Sequence, residues 1–404
     1  MDEAVGLALA LDLEVRETLV ANLRQLTPAT LFGKGKVEEI RLVIELAEAD
    51  VAIVDDALTP VQQRNLEKAW QVKVIDRTGL ILEIFARRAR TREGRLQVEL
   101  ARLSYERSRL VRTWTHLERQ RGGFGVMGGP GETQIETDRR LIAEKIRKLK
   151  GELVEVRRTR TLQRSARKRV PFPTVALVGY TNAGKSTLFN RLTDATVVAE
   201  DMLFATLDPT LRTLKLPDGR PAILSDTVGF ISDLPHELVE AFRATLEEVK
   251  EADVVLHVRD IASDESAAQA GDVRTVLSRL GVDMEERRIL EVWNKIDLLD
   301  GDTRDILTGD ARRADPPAIP VSAVTGMGVA ALLAAVSALV DEAPPVDVYA
   351  PAGEGASIAW LYRNGRVLER VDGKDGSTRL AVSLTPQALG QFEQMFPTSE
   401  VRGH

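Results

Sequence analysis

Gly179-Tyr180-Thr181-Asn182-Ala183-Gly184-Lys185-Ser186 sets two glycines around four residues and follows them with a lysine and a hydroxyl. That spacing suits a phosphate cradle: glycine lets backbone amides wrap phosphate oxygens, and a helix beginning at Gly184 adds the positive end of its dipole. Lys185 can reach β- and γ-phosphates, and Ser186, with Thr187 beside it, can hold Mg²⁺. The apolar run 174–178 reads as the buried strand that such a loop must follow. Asp226-Thr227-Val228-Gly229 comes next, after a second apolar run. Asp226 can hold the Mg²⁺ shell through water, and the Gly229 amide can meet a γ-phosphate. Asn294-Lys295-Ile296-Asp297 closes a third strand. The Asp297 carboxylate can accept two hydrogens, from guanine N1–H and the 2-amino group. Adenine offers neither, so the pattern selects GTP and GDP. A last strand at 318–321 leads to Ser322-Ala323, whose backbone can touch the guanine carbonyl. Any one of these later motifs alone reads as a surface turn. Four in order, each at the carboxyl end of a strand, leave that reading little room.

The loop before the next strand holds Phe204-Ala205-Thr206-Leu207-Asp208. A threonine here can bind Mg²⁺ and γ-phosphate before hydrolysis and release them after it. Thr206, Thr196 and Thr210 are the candidates. Phe230 follows Gly229, where many GTPases carry a glutamine that orients the attacking water. Phenylalanine has no such group, which predicts slow intrinsic turnover and a site completed from elsewhere.

These motifs need a mostly parallel sheet to hold them, and residues 171–343 supply its strands and helices. Before it, residues 1–86 alternate apolar runs (51–55, 72–76) with helical patterns (37–49, 61–70), an α/β domain. Residues 87–170 show no strand. Leu96, Leu100, Leu103, Leu110, Trp114 and Leu117 form one apolar seam, broken only by Arg107, and Ile142, Ile146, Leu149, Leu153 and Val156 form another. Between them, residues 122–131 hold six glycines in ten, which no helix survives. The pattern predicts an antiparallel helical hairpin, a coiled coil with a glycine-rich tip that brings backbone close to a surface. After Pro344-Pro345, residues 346–404 read as a small α+β domain, with strands at 356–362, 366–371 and 379–384, an Asn364-Gly365 hairpin turn and a closing helix at 386–396. The expected fold class is therefore multidomain α/β.

Residues 87–169 hold 24 Lys and Arg against 10 Asp and Glu, a local +14; as the whole chain carries −6, the remainder carries −20. A basic block in an acidic protein is the asymmetry expected where one element faces a polyanion. Cysteine is absent, so no disulfide, thiolate metal site or cysteine nucleophile exists. No apolar run reaches the ~18 residues of a membrane span. The acidic Met1-Asp2-Glu3 start is no signal peptide. His116, His236, His257 and His404 are scattered without metal spacing.

The nucleotide motifs resemble those of the Era–Obg–HflX branch of translation-factor-related GTPases. Phe32-Gly33-Lys34-Gly35-Lys36-Val37-Glu38-Glu39, Val74-Ile75-Asp76-Arg77-Thr78 with Ile84-Phe85-Ala86, and Pro130-Gly131-Glu132-Thr133-Gln134-Ile135-Glu136-Thr137-Asp138-Arg139-Arg140 narrow the resemblance to the HflX family over nearly the whole chain. Gly128-Gly129 depart from it, standing where the family has an arginine beside a single glycine. The resemblance favours Thr206 as the switch threonine and, through Asn182, implies K⁺ beside Mg²⁺. It further implies a cytoplasmic monomer, peripheral at the membrane at most, that binds the large ribosomal subunit and its RNA, splits stalled or idle ribosomes under stress, and has a side activity on ATP. Two other readings stand beside it: a nucleotide-dependent RNA-remodelling protein, and a GTP-switched adaptor for a protein partner.

Overall fold

A computed structural model describes residues 1–23, 26–120, 130–167, 172–193, 203–204, 206–207, 210–232, 248–279, 281–282, 288–314, 318–340, 345–373, 375–384 and 386–403, with backbone alone over much of 110–136 and 159–167. The glycine-rich segment 122–129, Thr196, Ala205 and Asp208 lie outside the described residues. Two compact units divide the chain. The first is formed by Met1–Arg158 with the described residues of Asp201–Asp208; the second holds most of the remainder.

In the first unit, α1 (Asp2–Leu9) and α2 (Lys34–Leu46) precede β1 (Val51–Val54), α3 (Pro60–Trp70), β2 (Lys73–Asp76) and α4 (Arg77–Arg88). Strands β1 and β2 pair in parallel, with α3 as the crossover between them. Thr59 starts α3 with a capping box: its hydroxyl accepts from Gln62 N, and Gln62 accepts from Thr59 N. Pro60 at the first helical position costs no hydrogen bond. From that start, Leu66 and Trp70 fall on one face and bury against Phe32, Ile44, Val54 and Val74.

The motif Asp76-Arg77-Thr78 is a structural brace. Asp76 ends β2 and caps α4, accepting from Gly79 N at 2.8 Å and Leu58 N at 3.2 Å. The same buried carboxylate accepts from the Tyr105 hydroxyl and pairs with Arg109 at 2.5 Å. Burial and the Asp76 charge push the Tyr105 phenol well above its ordinary value. Arg77 pairs with Glu3 and with Asp55. Tyr105 and Arg109 lie on α5 (Arg92–Gln120), which packs on α3 and α4. Helix α6 (Pro130–Arg167) returns, with Glu152 within 3.9 Å of Arg92. That pair brings the first turn of α5 beside α6. Leu103, Ile146 and Leu153 of the two seams are buried. Phe204 also belongs to this unit, edge-on to Phe85 with centroids 4.7 Å apart.

The second unit carries β3 (Thr174–Gly179), α7 (Lys185–Thr193), β4 (Thr210–Lys215), β5 (Pro221–Asp226), β6 (Val254–Asp260), α8 (Ser266–Arg279), β7 (Ile289–Asn294), α9 (Gly301–Ala311), β8 (Ala318–Pro320) and α10 (Val329–Val340). The sheet order is β4-β5-β3-β6-β7-β8, parallel except for β4 at one edge. The inner strands are mostly apolar, because helices cover both faces of a parallel sheet, with His257 and Glu291 as buried exceptions. Leu177, Leu256, Val258 and Val292 pack there with Leu188, Phe189, Leu332 and Val336.

The C-terminal part has β9 (Val346–Ala350), α11 (Gly355–Asn364), β10 (Arg366–Asp372), β11 (Thr378–Ser383), α12 (Pro386–Met395) and β12 (Glu400–Gly403), with sheet order β10-β11-β9-β12. Here one expectation fails: residues 356–362 form a helix, and Asn364-Gly365 ends that helix instead of turning a hairpin. Ile358, Trp360 and Tyr362 imitate strand alternation. The buried positions are Ser357 and Leu361, four apart, which is the helical repeat. Gly365 is needed for close packing, since a Cβ there would sit 2.5 Å from Leu384 Cδ2. No helix among the described residues is long and apolar enough to cross a membrane.

Candidate nucleotide site

The second unit gathers the sequence motifs at the carboxyl ends of its parallel strands. β3 runs through Gly179 and Tyr180 into a turn at 181–184, and α7 opens at Lys185. Gly184 has φ +89°, and a Cβ on it would lie 2.2 Å from Asn294 Nδ2. Glycine alone fits both conditions. Tyr180 bridges Phe230 in parallel: Thr181 N donates to Phe230 O at 2.7 Å, and Phe230 N donates to Gly179 O at 3.1 Å. The loop after Asp226 is thus laced to the phosphate loop by main chain. Phe230 itself is buried. Gly229 packs so closely that a Cβ would stand 2.8 Å from Thr181 Cγ2 and 3.1 Å from Lys185 Nζ. Gly229 therefore lies beside Lys185.

Lys185 Nζ donates to Tyr180 O at 2.6 Å. Burial pulls its ammonium down to about 8, with the Asp226 carboxylate acting the other way. Ser186 Oγ donates to Asp226 Oδ2 at 2.8 Å, which brings two of the expected metal ligands together. Thr227 is buried and donates to Leu177 O at 2.6 Å, and Val228 is buried beside it. Asn182 stands exposed with φ +59°, and Ala183 is buried.

Asn294 joins the two halves of the site. Its Nδ2 donates to Ala183 O at 2.9 Å, and its Oδ1 accepts from Ala323 N at 3.0 Å. Lys295 has φ +67° and pairs with Asp260 at 2.8 Å. Asp297 lies in a short 3-10 turn (Ile296–Leu298) and is partly exposed. Ser322 is buried and, through Oγ, accepts from Thr325 N at 3.0 Å. Phe204, Thr206 and Leu207 fall in the first unit, with Phe204 and Leu207 buried.

Two polar residues escaped the motif reading. Asp260 ends β6, and its position at a strand's carboxyl end was the available signal. Arg191, on α7, donates from Nε to Ala323 O at 3.1 Å and from Nη2 to Val324 O. A cation on an otherwise apolar helix turn was its only trace in the sequence.

Beneath the site, His257 of β6 is buried, and among the described residues neither ring nitrogen has a hydrogen-bond partner. Its Nδ1 is 3.8 Å from Glu291 Oε1. Glu291 in turn accepts from Arg259 at 2.6 Å, Arg274 at 2.6 Å and Trp293 Nε1 at 2.8 Å. Burial pulls His257 down to about 4; Glu291 opposes this, while Arg259, Arg274 and Lys185 add to it. As pH falls, the unfolded chain takes up the proton near 6.5, well before the folded one. The stability that the neutral imidazole contributes is therefore present above about 6.5 and is lost as pH falls toward 4. Urea unfolding at about pH 7 and about pH 5 should show this decline in the wild type and a flatter profile in His257→Leu. Equal slopes in the two proteins would exclude His257 as the source.

Four family profiles match the chain. They are described as GTP-binding GTPase N-terminal (residues 1–86), GTP-binding GTPase Middle Region (88–167), 50S ribosome-binding GTPase (174–295) and HflX C-terminal domain (309–400). A GTPase HflX of Magnetococcus marinus is 55% identical over 97% of this chain and 90% of its own length. The GTPase HflX of Escherichia coli is 44% identical over 95% of this chain and 89% of its own. A solved GTP-binding protein from Sulfolobus solfataricus, in complex with GDP, is 25% identical, with TM-score 0.46, covering 84% of this chain and 94% of that one. With a complete set of guanine-nucleotide motifs on a mostly parallel sheet and these matches from end to end, the chain belongs to the HflX family of GTPases.

Proposed function

We propose that this GTPase works on the large ribosomal subunit and, driven by GTP, splits or rescues stalled or idle ribosomes under stress, as a cytoplasmic monomer. The observation that carries the reading is the basic hairpin: Arg139, Arg140, Lys145, Arg147, Lys148 and Lys150 of α6 are all exposed. A helix this rich in solvated cations suits a phosphate backbone. The description of the matching central profile as a 50S ribosome-binding GTPase supports the same partner. The chain's four parts are 1–86, 87–170, 171–343 and 346–404, the second being the ribosome-facing one.

In this reading, residues 179–187 hold the phosphates, and Asn294, Lys295, Asp297, Ser322 and Ala323 hold guanine. Asp226, Thr227, Val228 and Gly229 face the γ-phosphate, and Phe204, Ala205, Thr206, Leu207 and Asp208 form the switch segment. Lys185, Thr206 and Gly229 act on the transferred group. Hydroxyl and carboxylate oxygens suit Mg²⁺, and the 2.8 Å contact of Ser186 with Asp226 places two of them together; Thr206 is the third ligand of the GTP state. The ion would neutralise charge on the β- and γ-phosphates. Exposed Asn182 offers an amide oxygen to K⁺. Phe230 leaves water unoriented, so ribosomal contact completes the site.

Cosedimentation with large subunits in GTP, GDP or a non-hydrolysable analogue tests the proposal. Arg140→Glu with Arg147→Glu should weaken binding about tenfold or more at physiological salt and flatten its salt dependence. Nucleotide affinity should stay unchanged. Wild-type subunit binding by this variant would move the RNA contact to another surface.

A further inference from the structure

The loop from Ser322 to Met327 allows a full account of its backbone donors. Ser322 N donates to Met327 O, Ala323 N to Asn294 Oδ1, Thr325 N to Ser322 Oγ, Gly326 N to Ser322 O, and Met327 N to Thr325 Oγ1. Among the described residues, the Val324 amide alone in this loop has no protein acceptor. Val324 is exposed, so its amide is open to water and to a ligand alike, and its direction decides which ligand atom it could meet.

Arg191 decides where that donor points. Its guanidinium holds Ala323 O at 3.1 Å and also Val324 O. In a trans peptide the carbonyl and the following N–H point in opposite directions. Drawing Ala323 O toward α7 therefore turns the Val324 N–H away from α7. The second bond holds the next peptide, whose N–H is already taken by Ser322 Oγ. One planar cation thus holds two successive peptides in the fixed geometry of its fork, which a freely rotating ammonium does not impose.

We propose that Arg191 is a positioning residue for base selection: it aims the Val324 amide at the 6-oxygen of guanine, complementing the contact of Asp297 with N1–H and the 2-amino group. The proposal rests on the reading of Asp297 and the Ser322-Ala323 loop as the guanine pocket. It assigns the 6-oxygen to a main-chain donor whose orientation is set from the phosphate-binding helix. Arg191 touches neither base nor phosphate.

The test separates the two edges of the base. Three ligands are titrated by competition against a fluorescent GDP: GDP; 6-thio-GDP, which keeps both hydrogens for Asp297 but offers a poorly accepting sulfur at position 6; and IDP, which lacks the 2-amino group. Wild type should prefer GDP to each analogue. In Arg191→Ala, GDP affinity should fall roughly tenfold, the worth of about one hydrogen bond, and the preference over 6-thio-GDP should shrink toward unity. The preference over IDP should persist, because Asp297 is untouched. Arg191→Lys keeps the cation but not the fork, and should restore part of the 6-thio-GDP discrimination. A simple loss of packing would lower all three affinities in parallel and overturn the proposal, as would full retention of the GDP to 6-thio-GDP ratio. Should wild type fail to distinguish GDP from IDP, the guanine pocket itself is misassigned, a separate failure. If Arg191→Ala does not fold, Arg191→Gln carries the same two ratios.

Discussion

Asp297→Asn should convert a GTP site into a xanthosine triphosphate site. Guanine presents two donors, N1–H and the 2-amino group, to an acceptor-only carboxylate. An asparagine facing that edge keeps one acceptor and presents an amide donor to the amino group. A donor then meets a donor. The loss is roughly 3 kcal/mol or more, about a hundredfold in affinity. Xanthine carries an oxygen at position 2, which the new amide can donate to, and it keeps N1–H for the remaining oxygen. Its triphosphate should therefore bind the variant better than GTP does, and support turnover where GTP no longer can. Competition binding of the two nucleotides to wild type and variant reads the exchange directly. Unchanged GTP affinity in the variant would remove Asp297 from the base pocket.

Asp76→Ala should cost the first unit about 3–5 kcal/mol, the range for removing one partner from a buried ion pair. Four donors converge on that carboxylate: Leu58 N, Gly79 N, the Tyr105 hydroxyl and Arg109. Two of them come from the α/β layer and two from α5, so the carboxylate fastens the hairpin's first arm to the domain that bears it. Alanine leaves the α4 N-terminus without its cap and takes the counter-charge from a guanidinium with little access to water. Asp76→Asn keeps an acceptor for Gly79 and should lose less. Urea unfolding, followed through the far-ultraviolet signal of the helices, gives both values. A loss under 1 kcal/mol for alanine would mean that apolar packing of α5 on α3 and α4 suffices without the brace.

The central sheet was legible because its chemistry is local. A strand buried on both faces is mostly apolar, a phosphate loop must carry glycine, and each motif sits at a strand's end, so the positions of Gly179, Lys185, Asp226, Asn294 and Asp297 on the sheet are readable from spacing alone. The edge strand β4 was harder: Thr210–Lys215 exposes Arg212, Thr213 and Lys215, and an edge need not be apolar. Residues 356–362 were misread because a short amphipathic helix with aromatic residues two apart mimics strand alternation. The brace at Asp76 and the grip of Arg191 on Ala323 were invisible for a different reason. Their partners lie 33 and 132 positions away, and nothing in the sequence announces which distant group a single charged side chain will meet.

Asn294 gives the site a property that no list of contacts states. One carboxamide spends its donor on the loop proposed to face phosphate and its acceptor on the loop proposed to face the base. Base and phosphate recognition then have no separate free energies to add. Any displacement of the Ala323 main chain is transmitted through a rigid planar group to the Ala183 carbonyl. A nucleoside and a pyrophosphate tested apart would each meet a site that the other has not helped to set, and their affinities would sum to less than that of the joined molecule. On that proposal, discrimination between bases would be exercised partly at the phosphates, some distance from the atoms in which the bases differ.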